Sequence, residues 1–378
     1  MTCRRKFLSV IGLASANAMG VPIVGSDTKS TPPIVIGQST ILSGPLGESR
    51  KVANTGAQLV FDAVNRAGGI AGRKLELLSL DDGLQAEKTL ANCNALVSRH
   101  NAVALFGFLG SSNEVAVEPL LRESGVALIG NYAIGDAARE KMGSTSYFVR
   151  ANYFHESERL ARQMATLGLS RIAIVYYDVP GGQEVRATLV EQLAKFGITP
   201  MVVAGVATDG SNIDSAVKAV GPAMPQAVIM YLGGAAPAKF IAGMDAKGFF
   251  TSYYGFSSVP GELTAKILGA SLRSLVISQV MPYPWSQTDV GILQYRKLAK
   301  EANVPVTYSS YECFVTASVL VEALRRAGPN VSRPLVHAAM RSLKGQIAGL
   351  PVNFTGGRST GSQFVELVQI TGSGRFSR

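Results

Sequence analysis

FDAVNRAGGIAGRKLELLSLDD, residues 61–82, reads as the end of a helix, a tight turn and the strand that follows. Just upstream, Val52, Gly56, Val60 and Val64 recur at helical spacing and give that helix one apolar face. Gly68 and Gly69 stop it, because glycine takes the left-handed geometry that a helix C-terminus favours. Ile70 then reaches back toward the apolar layer, and Gly72 makes a second bend before Leu75, Leu77 and Leu80. Asp81 and Asp82 stand where that strand ends. A helix returned to a sheet in this way is half of a parallel βαβ unit, whose crossover is right-handed.

The pattern repeats outward from this unit. It predicts strands at Ile34–Ser39, Leu75–Leu80, Val103–Gly107 and Val126–Ile129, alternating with helices at Glu48–Ala67, Ala86–Arg99 and Val115–Ser124. Such βα alternation means a parallel sheet covered by helices on both faces. Near Tyr147–Asn152 the chain crosses into a second lobe. Strands follow there at Arg171–Tyr176, Val202–Val206, Ala227–Tyr231, Tyr253–Phe256 and Leu275–Gln279, with helices between them. After Pro282-Tyr283-Pro284 the chain returns, and helices at Thr288–Ala302, Ser310–Ala327 and Ser332–Leu343 rejoin the first lobe. Val352–Phe354 and Phe364–Ile370 finish as antiparallel edges.

Asn-x-x-Gly-Gly-Ile-x-Gly-Arg-x-Leu-Glu-Leu, starting at Asn65 and followed by Asp81-Asp82, resembles a signature of the leucine/isoleucine/valine-binding type of solute receptor. These receptors serve ABC importers outside the cytoplasm. The Ile36-Gly37 strand and the Ser43-Gly44-Pro45-Leu46-Gly47 turn resemble that family's first strand and loop. The likeness runs, with gaps, from about residue 33 to near the C-terminus. It implies an α/β fold of two doubly wound parallel-sheet lobes joined by a three-segment hinge, the type I periplasmic binding fold. The lobes are expected at 33–151 plus 281–355 and at 152–280 plus 356–378.

Residues 1–26 read as a cleaved export signal, with Arg4-Arg5-Lys6-Phe7-Leu8 as a positive start and an apolar segment through Met19. The paired arginines before x-Phe-Leu resemble a twin-arginine signal, although Cys3 and Ser9 stand where that motif often has Ser and Lys. Ala16-Asn17-Ala18 and Val24-Gly25-Ser26 are candidate cleavage sites. The apolar run is too short and too broken for a stable membrane span. A periplasmic protein, soluble after cleavage, is expected.

The chain has 378 residues, 47% hydrophobic and 16% charged, which suits a folded chain of about two domains. Net charge is +10, and Arg4, Arg5 and Lys6 supply three of those charges. No dense basic run follows them and no basic-aromatic motif accompanies them, so a nucleic-acid partner is not expected. Cys93 and Cys313 lie far apart without a second Cys nearby, and read as two buried thiols.

Enzyme signatures fail in turn. The sequence has no P-loop, no His-Glu-x-x-His and no Gly-x-Ser-x-Gly, and its three histidines make a His-rich zinc site improbable. Ser215-Ala-Val-Lys218 fits Ser-x-x-Lys but reads as two solvated positions on an ordinary helix. Asp81-Asp82 reads as a strand-end pair capping loop amides and not as a metal pair. No catalysis, metal or cofactor is expected.

Two loops look suited to a ligand. Gly107-Phe108-Leu109-Gly110-Ser111-Ser112-Asn113 joins a strand end to a helix start, where hydroxyls and free helix amides bind a carboxylate. Capping of the helix by Ser111 or Ser112 is the structural alternative. Gly130-Asn131-Tyr132-Ala133-Ile134-Gly135 follows the next strand, and both loops stand at carboxyl ends of parallel strands, where open α/β sheets bind ligands.

The family resemblance places the receptor serine at Ser111 and the second carboxylate loop at Tyr132, Ala133 and Ile134. Opposite, it places Ala235 and Ser257 where amino-acid-binding relatives carry an ammonium-holding tyrosine and glutamate. Neither supplies negative charge, so the expected ligand is a small carboxylate without a conventional α-amino contact. Phe108, Tyr132, Tyr177 and Phe256 are candidates for its apolar wall. The implied partner is the membrane permease of an ABC importer. A sensory receptor serving a signalling partner, or an exported α/β enzyme, are the alternatives that fold alone leaves open.

Overall fold

The computed structural model describes residues 31–132 and 134–378; the export-signal reading at residues 1–26 and the site candidate Ala133 lie outside them. The first part comprises β1 (Ile34–Thr40), α1 (Gly44–Arg66), β2 (Leu75–Asp81), α2 (Ala86–Ser98) and β3 (Ala104–Phe106). It continues through α3 (Ser111–Ser124), β4 (Ala127–Ile129), α4 (Asp136–Met142) and β5 (Ser146–Tyr147). Its five strands form one parallel sheet in the order β2-β1-β3-β4-β5.

The second part runs α5 (Tyr153–Thr166), β6 (Ile172–Tyr177), α6 (Pro180–Ala194), β7 (Val202–Val206), α7 (Ile213–Val220) and β8 (Ala227–Tyr231). It closes with α8 (Ala236–Ala246), β9 (Ser252–Gly255), α9 (Gly261–Leu268) and β10 (Leu275–Gln279). Then come α10 (Val290–Glu301), α11 (Tyr308–Arg326), α12 (Arg333–Ser342), the hairpin β11 (Lys344–Ile347) with β12 (Leu350–Asn353), and finally β13 (Glu366–Ile370) and β14 (Phe376–Ser377). The second sheet has the order β14-β13-β10-β9-β8-β6-β7. It is parallel from β10 to β7, and β13 lies antiparallel to β10, from Leu275 opposite Ile370 to Gln279 opposite Glu366.

The chain thus leaves the first sheet after Tyr147, comes back after Gln279 to lay α11 against α1, and returns to the second sheet at Glu366. Central strands are buried on both faces: every residue of β3 and β4 is inaccessible, as are Ile34 and Ile36 of β1 and Ala227 to Met230 of β8. This is why they read as unbroken apolar runs rather than alternating ones.

The stretch at 61–82 folds for identifiable reasons. Gly69 has φ +79, and a Cβ on it would lie 2.1 Å from the Arg73 carbonyl oxygen. Its amide closes the helix on Val64 O at 2.9 Å, and Ile70 and Arg73 exchange both backbone bonds, at 2.8 and 3.0 Å. The Asn65 side chain then acts as a strand neighbour, donating to Leu75 O at 2.9 Å and accepting from Leu75 N at 2.7 Å. Asp81 accepts from the amides of Leu42 and Gly83, and Asp82 from Leu84 N, the Ser39 hydroxyl and the Thr89 hydroxyl. Both acids bind loop amides and hydroxyls, and no metal-holding group of acids, Cys or His occurs among the described residues.

Several boundaries differ from the sequence reading. Helix α1 begins at Gly44, so the Ser43–Gly47 turn is the helix entry, where proline's fixed φ suits the first turn. Its buried stripe is Ala53, Ala57, Val60, Phe61 and Val64, with Val52 left 45% exposed at the margin. Helix α3 begins at Ser111 and not at Val115. The short helices α4 and α9 and the edge strands β5, β11 and β14 add to the predicted set. Cys93 and Cys313 are buried free thiols. Ser215 and Lys218 are both exposed on α7.

Candidate ligand site

The two predicted loops run side by side beyond the tips of β3 and β4. Tyr132 N donates to Phe108 O at 2.9 Å and Gly110 N to Tyr132 O at 3.2 Å, extending the parallel pairing by a bridge between Leu109 and Tyr132. The N-cap of α3 is Gly110 and not Ser111, which is the helix's first residue. The Ser111 hydroxyl accepts from Gly135 N at 3.0 Å, tying the helix start to the second loop. Ser112 is exposed. Gly130 at the loop's start has φ +73, and a Cβ there would meet the Thr316 methyl at 1.8 Å, so α11 presses directly on the strand tip.

Tyr132 is buried, with the Arg50 guanidinium 4.2 Å above its ring and its hydroxyl beside Cys313. Arg50 donates to Gly107 O at 2.5 Å. Burial pushes the Tyr132 hydroxyl and the Cys313 thiol up, against the opposing pull of Arg50.

Three predicted contact residues fall elsewhere. Phe108 and Ile134 are inaccessible and pack in the apolar layer with Leu105, Leu121 and Leu128. Phe256 is inaccessible in the other core, edge-on to Tyr153 and Tyr231. Tyr177 is half-buried and donates to Gly233 O at 2.8 Å, joining the β6 and β8 tips. Ala235 is half-buried at the N-cap of α8.

Ser257, beyond the tip of β9, lies in an ionic cluster that the sequence did not disclose. Glu156 of α5, fully buried, accepts from Ser257 N at 2.8 Å, from its hydroxyl at 2.9 Å and from the Ser278 hydroxyl at 2.6 Å. Arg150, in the segment between β5 and α5, donates to the Ser257 hydroxyl and lies 3.4 Å from Glu156 Oε1. Its other terminal nitrogen lies 3.3 Å from Glu312 Oε1 on α11. Ala235 and Ser257 carry no charge themselves, yet this side of the site is not without acids. Two acids stand there, brought from other elements, and one guanidinium is shared between them. Burial opposes charge on Arg150, but Glu312 and Glu156 outweigh it and raise its pKa.

Behind Arg150, Arg139 of α4 donates to the carbonyls of Arg150 and Ala151, each at 3.2 Å, and to the Thr360 hydroxyl. It thereby joins two of the segments that pass between the sheets. Burial, and then Arg150's like charge, lower Arg139 to about 10. Asp136 and Glu184 bridge the two halves, Asp136 accepting from Phe154 N at 3.0 Å and Glu184 from Ala137 N at 2.7 Å.

Glu114, on the first turn of α3, is inaccessible and faces Asn131, Arg139 and Arg50. Burial pushes its carboxyl well above the ordinary 4.5, against the pull of those three groups. An acid raised on folding adds stability that is fully present below its unfolded pKa and is lost as pH rises through the folded value. Stability is therefore expected to fall as pH rises above 4.5, and the fall should be smaller in Glu114→Gln. Urea unfolding across that range measures it; parallel profiles for the two chains would refute it.

A cavity of about 550 Å³ is lined by α1, α10, α11 and β11, including Val64, Leu298, Arg325 and Lys344, and includes no residue of either loop.

Known proteins agree with this architecture. The family model described as "Periplasmic binding protein" matches residues 33–375. An amino acid binding protein from Pseudomonas aeruginosa is 23% identical over 230 residues, 60% of this chain and 59% of that one, so the match spans about three fifths of the relative. A substrate-binding periplasmic protein from Ralstonia solanacearum is 27% identical, with a TM-score of 0.82 over 91% of this chain and 99% of that one. The solute-binding protein of an ABC transporter from Rhodopseudomonas palustris, solved with 3,4-dihydroxybenzoic acid, gives a TM-score of 0.77. It is 16% identical, covering 89% of this chain and 92% of that one, and that likeness speaks to the fold.

Two doubly wound halves, with polar groups converging at their strand tips, define a solute-binding protein of type I architecture. The chain belongs to the periplasmic binding protein family. Membership implies a place outside the cytoplasmic membrane, and no helix among the described residues is long and apolar enough to cross one.

Proposed function

We propose that this chain is the periplasmic solute receptor of an ABC importer, taking up a small carboxylate between two lobes that close on a hinge. The lobes are 33–151 with 281–355, and 152–280 with 356–378. Three crossing segments leave few covalent constraints between them, the arrangement a hinge needs. The export-signal reading supports periplasmic placement, and a membrane permease is the partner that would recognise the closed form. The chain performs no chemistry on its solute in this reading, which must leave unchanged.

The observation that carries the reading is the Ser111 hydroxyl joined to Gly135 N, where a helix start and a second strand-tip loop meet. Hydroxyl and amides there suit a carboxylate, and Ser257 stands at the strand tips of the other half, bonded to Arg150 of the crossing segment. The amino acid named for the Pseudomonas relative and the dihydroxybenzoic acid bound by the Rhodopseudomonas protein both carry a carboxylate.

A thermal-shift screen over amino acids and organic acids tests it, since a ligand bound only by the folded state raises the melting temperature. At least one small carboxylate should bind, and Ser111→Ala should weaken it about tenfold, the worth of one hydrogen bond to a charged group. Unchanged affinity in that variant refutes the placement. A screen in which no carboxylate shifts the transition refutes the function.

A further inference from the structure

We infer that Arg150 is a specificity-determining residue: its guanidinium fills, from within the chain, an anionic subsite made by Glu156, Glu312 and the Ser257 hydroxyl. It thereby turns away solutes that carry an ammonium group. The inference rests on the solute-receptor reading above and names the ligand class of that same site.

Two carboxylates and a hydroxyl gathered at strand tips make a cation-binding place. Glu156 is inaccessible and Glu312 largely buried, so neither charge is tolerable without a partner. The partner present is internal. Arg150 is 8% exposed; one terminal nitrogen faces Glu312 and the other faces Glu156 and Ser257.

Its direction is fixed from behind, because Arg139 holds the Arg150 and Ala151 carbonyls. Tyr132 of the first half and Tyr153 of the second both lie within electrostatic reach of the guanidinium, which places it between the loops of the two halves. Arg139, adjacent, is a second cation on this side, itself faced by Asp136. An incoming ammonium finds Glu156 and Glu312 already facing a guanidinium and meets its like charge in a place of low dielectric, a repulsive element that discriminates by charge. A carboxylate meets the opposite sign.

The test uses matched pairs that differ only in the α-amino group: 4-methylpentanoate and leucine, 3-methylbutanoate and valine, 3-phenylpropanoate and phenylalanine. Calorimetry on the parent chain should show the acid of a pair bound more tightly than its amino acid, by about tenfold or more. Arg150→Met exposes the two acids and should shift that ratio toward the amino acid by about tenfold, whereas Arg150→Lys, which keeps a cation there, should retain the parent's preference.

Removing a buried cation from between two acids endangers folding. Arg150→Met combined with Glu156→Gln leaves only Glu312 facing the vacated space, and the same direction of change is expected. Equal or tighter binding of the amino acids by the parent overturns the inference. So does an unaltered ratio in both Met variants, which leaves the carboxylate reading standing. A parent that binds no member of any pair overturns the carboxylate reading, and this inference with it.

Discussion

Gly56→Ala is expected to lower the free energy of unfolding by about 3 kcal/mol, the upper end of what overpacking a core costs. A Cβ at position 56 would lie 1.7 Å from the Ser310 carbonyl oxygen and 2.7 Å from its carbon. Those atoms are backbone, and Ser310 cannot yield easily. Its hydroxyl contacts Tyr295 at 2.6 Å, and Thr307 and Ser310 hold each other in a capping box that starts α11. The methyl is accommodated only by moving α1 away from α11, and that contact joins the returning helices to the first sheet.

Gly181→Ala on α6 is the contrast. Nothing lies within 4 Å of the added atom, and the change should be neutral or raise stability by about 0.5 kcal/mol through lost unfolded-state freedom. Urea unfolding of both variants at a common slope measures the difference. A Gly56→Ala chain as stable as its parent would show that the two helices are not held at this distance.

Much of this architecture is written locally. Asn65, Gly69 and Ile70 each act within about one turn or strand of their own position, through bonds that the residue type dictates, so the signature at 61–82 is readable as geometry. Buried parallel strands such as Ala104–Phe106 are equally legible as apolar runs. Short helices are not. Asp136-Ala-Ala-Arg-Glu-Lys-Met142 is too brief for its periodicity to stand out, and its stability comes from Arg139 reaching into the crossings.

The site divides along the same line. Ser111 and Tyr132 could be placed because a strand tip and a helix start are local features. The orientation of Phe108, Ile134 and Phe256 could not, since whether a residue just past a strand faces the core depends on how the loop turns. The ionic cluster was least legible of all. Arg150, Glu156, Ser257 and Glu312 come from four elements, and nothing in their spacing announces that they meet. His155-Glu156 has no second histidine at the spacing of a zinc motif, and the dipeptide gives no sign of the cluster. A cation within a predicted lobe crossing and an acid just after it is the pattern that would have singled out Arg150 and Glu156.

Glu156→Ala is expected to cost about 3–5 kcal/mol, the range for breaking a buried pair by removing one partner. Three protein donors besides Arg150 end on this carboxylate, and none has another acceptor of comparable charge. Its loss leaves the Ser257 amide without its acceptor and Arg150 with Glu312 alone. Glu156→Gln separates charge from shape. The amide oxygen can still accept from one Ser257 group, but its NH₂ would face a donor, so a smaller loss of about 1–2 kcal/mol is expected.

The two variants should also part in binding. Ser257 is positioned by Glu156, so Glu156→Ala should weaken whatever small carboxylate the parent binds, while Glu156→Gln keeps most of the loop's geometry and of the affinity. Denaturant unfolding and calorimetry on the same preparations decide this. Stability within about 1 kcal/mol of the parent for Glu156→Ala would mean that water replaces the carboxylate at no loss, and that the cluster neither holds the strand tips nor sets the site.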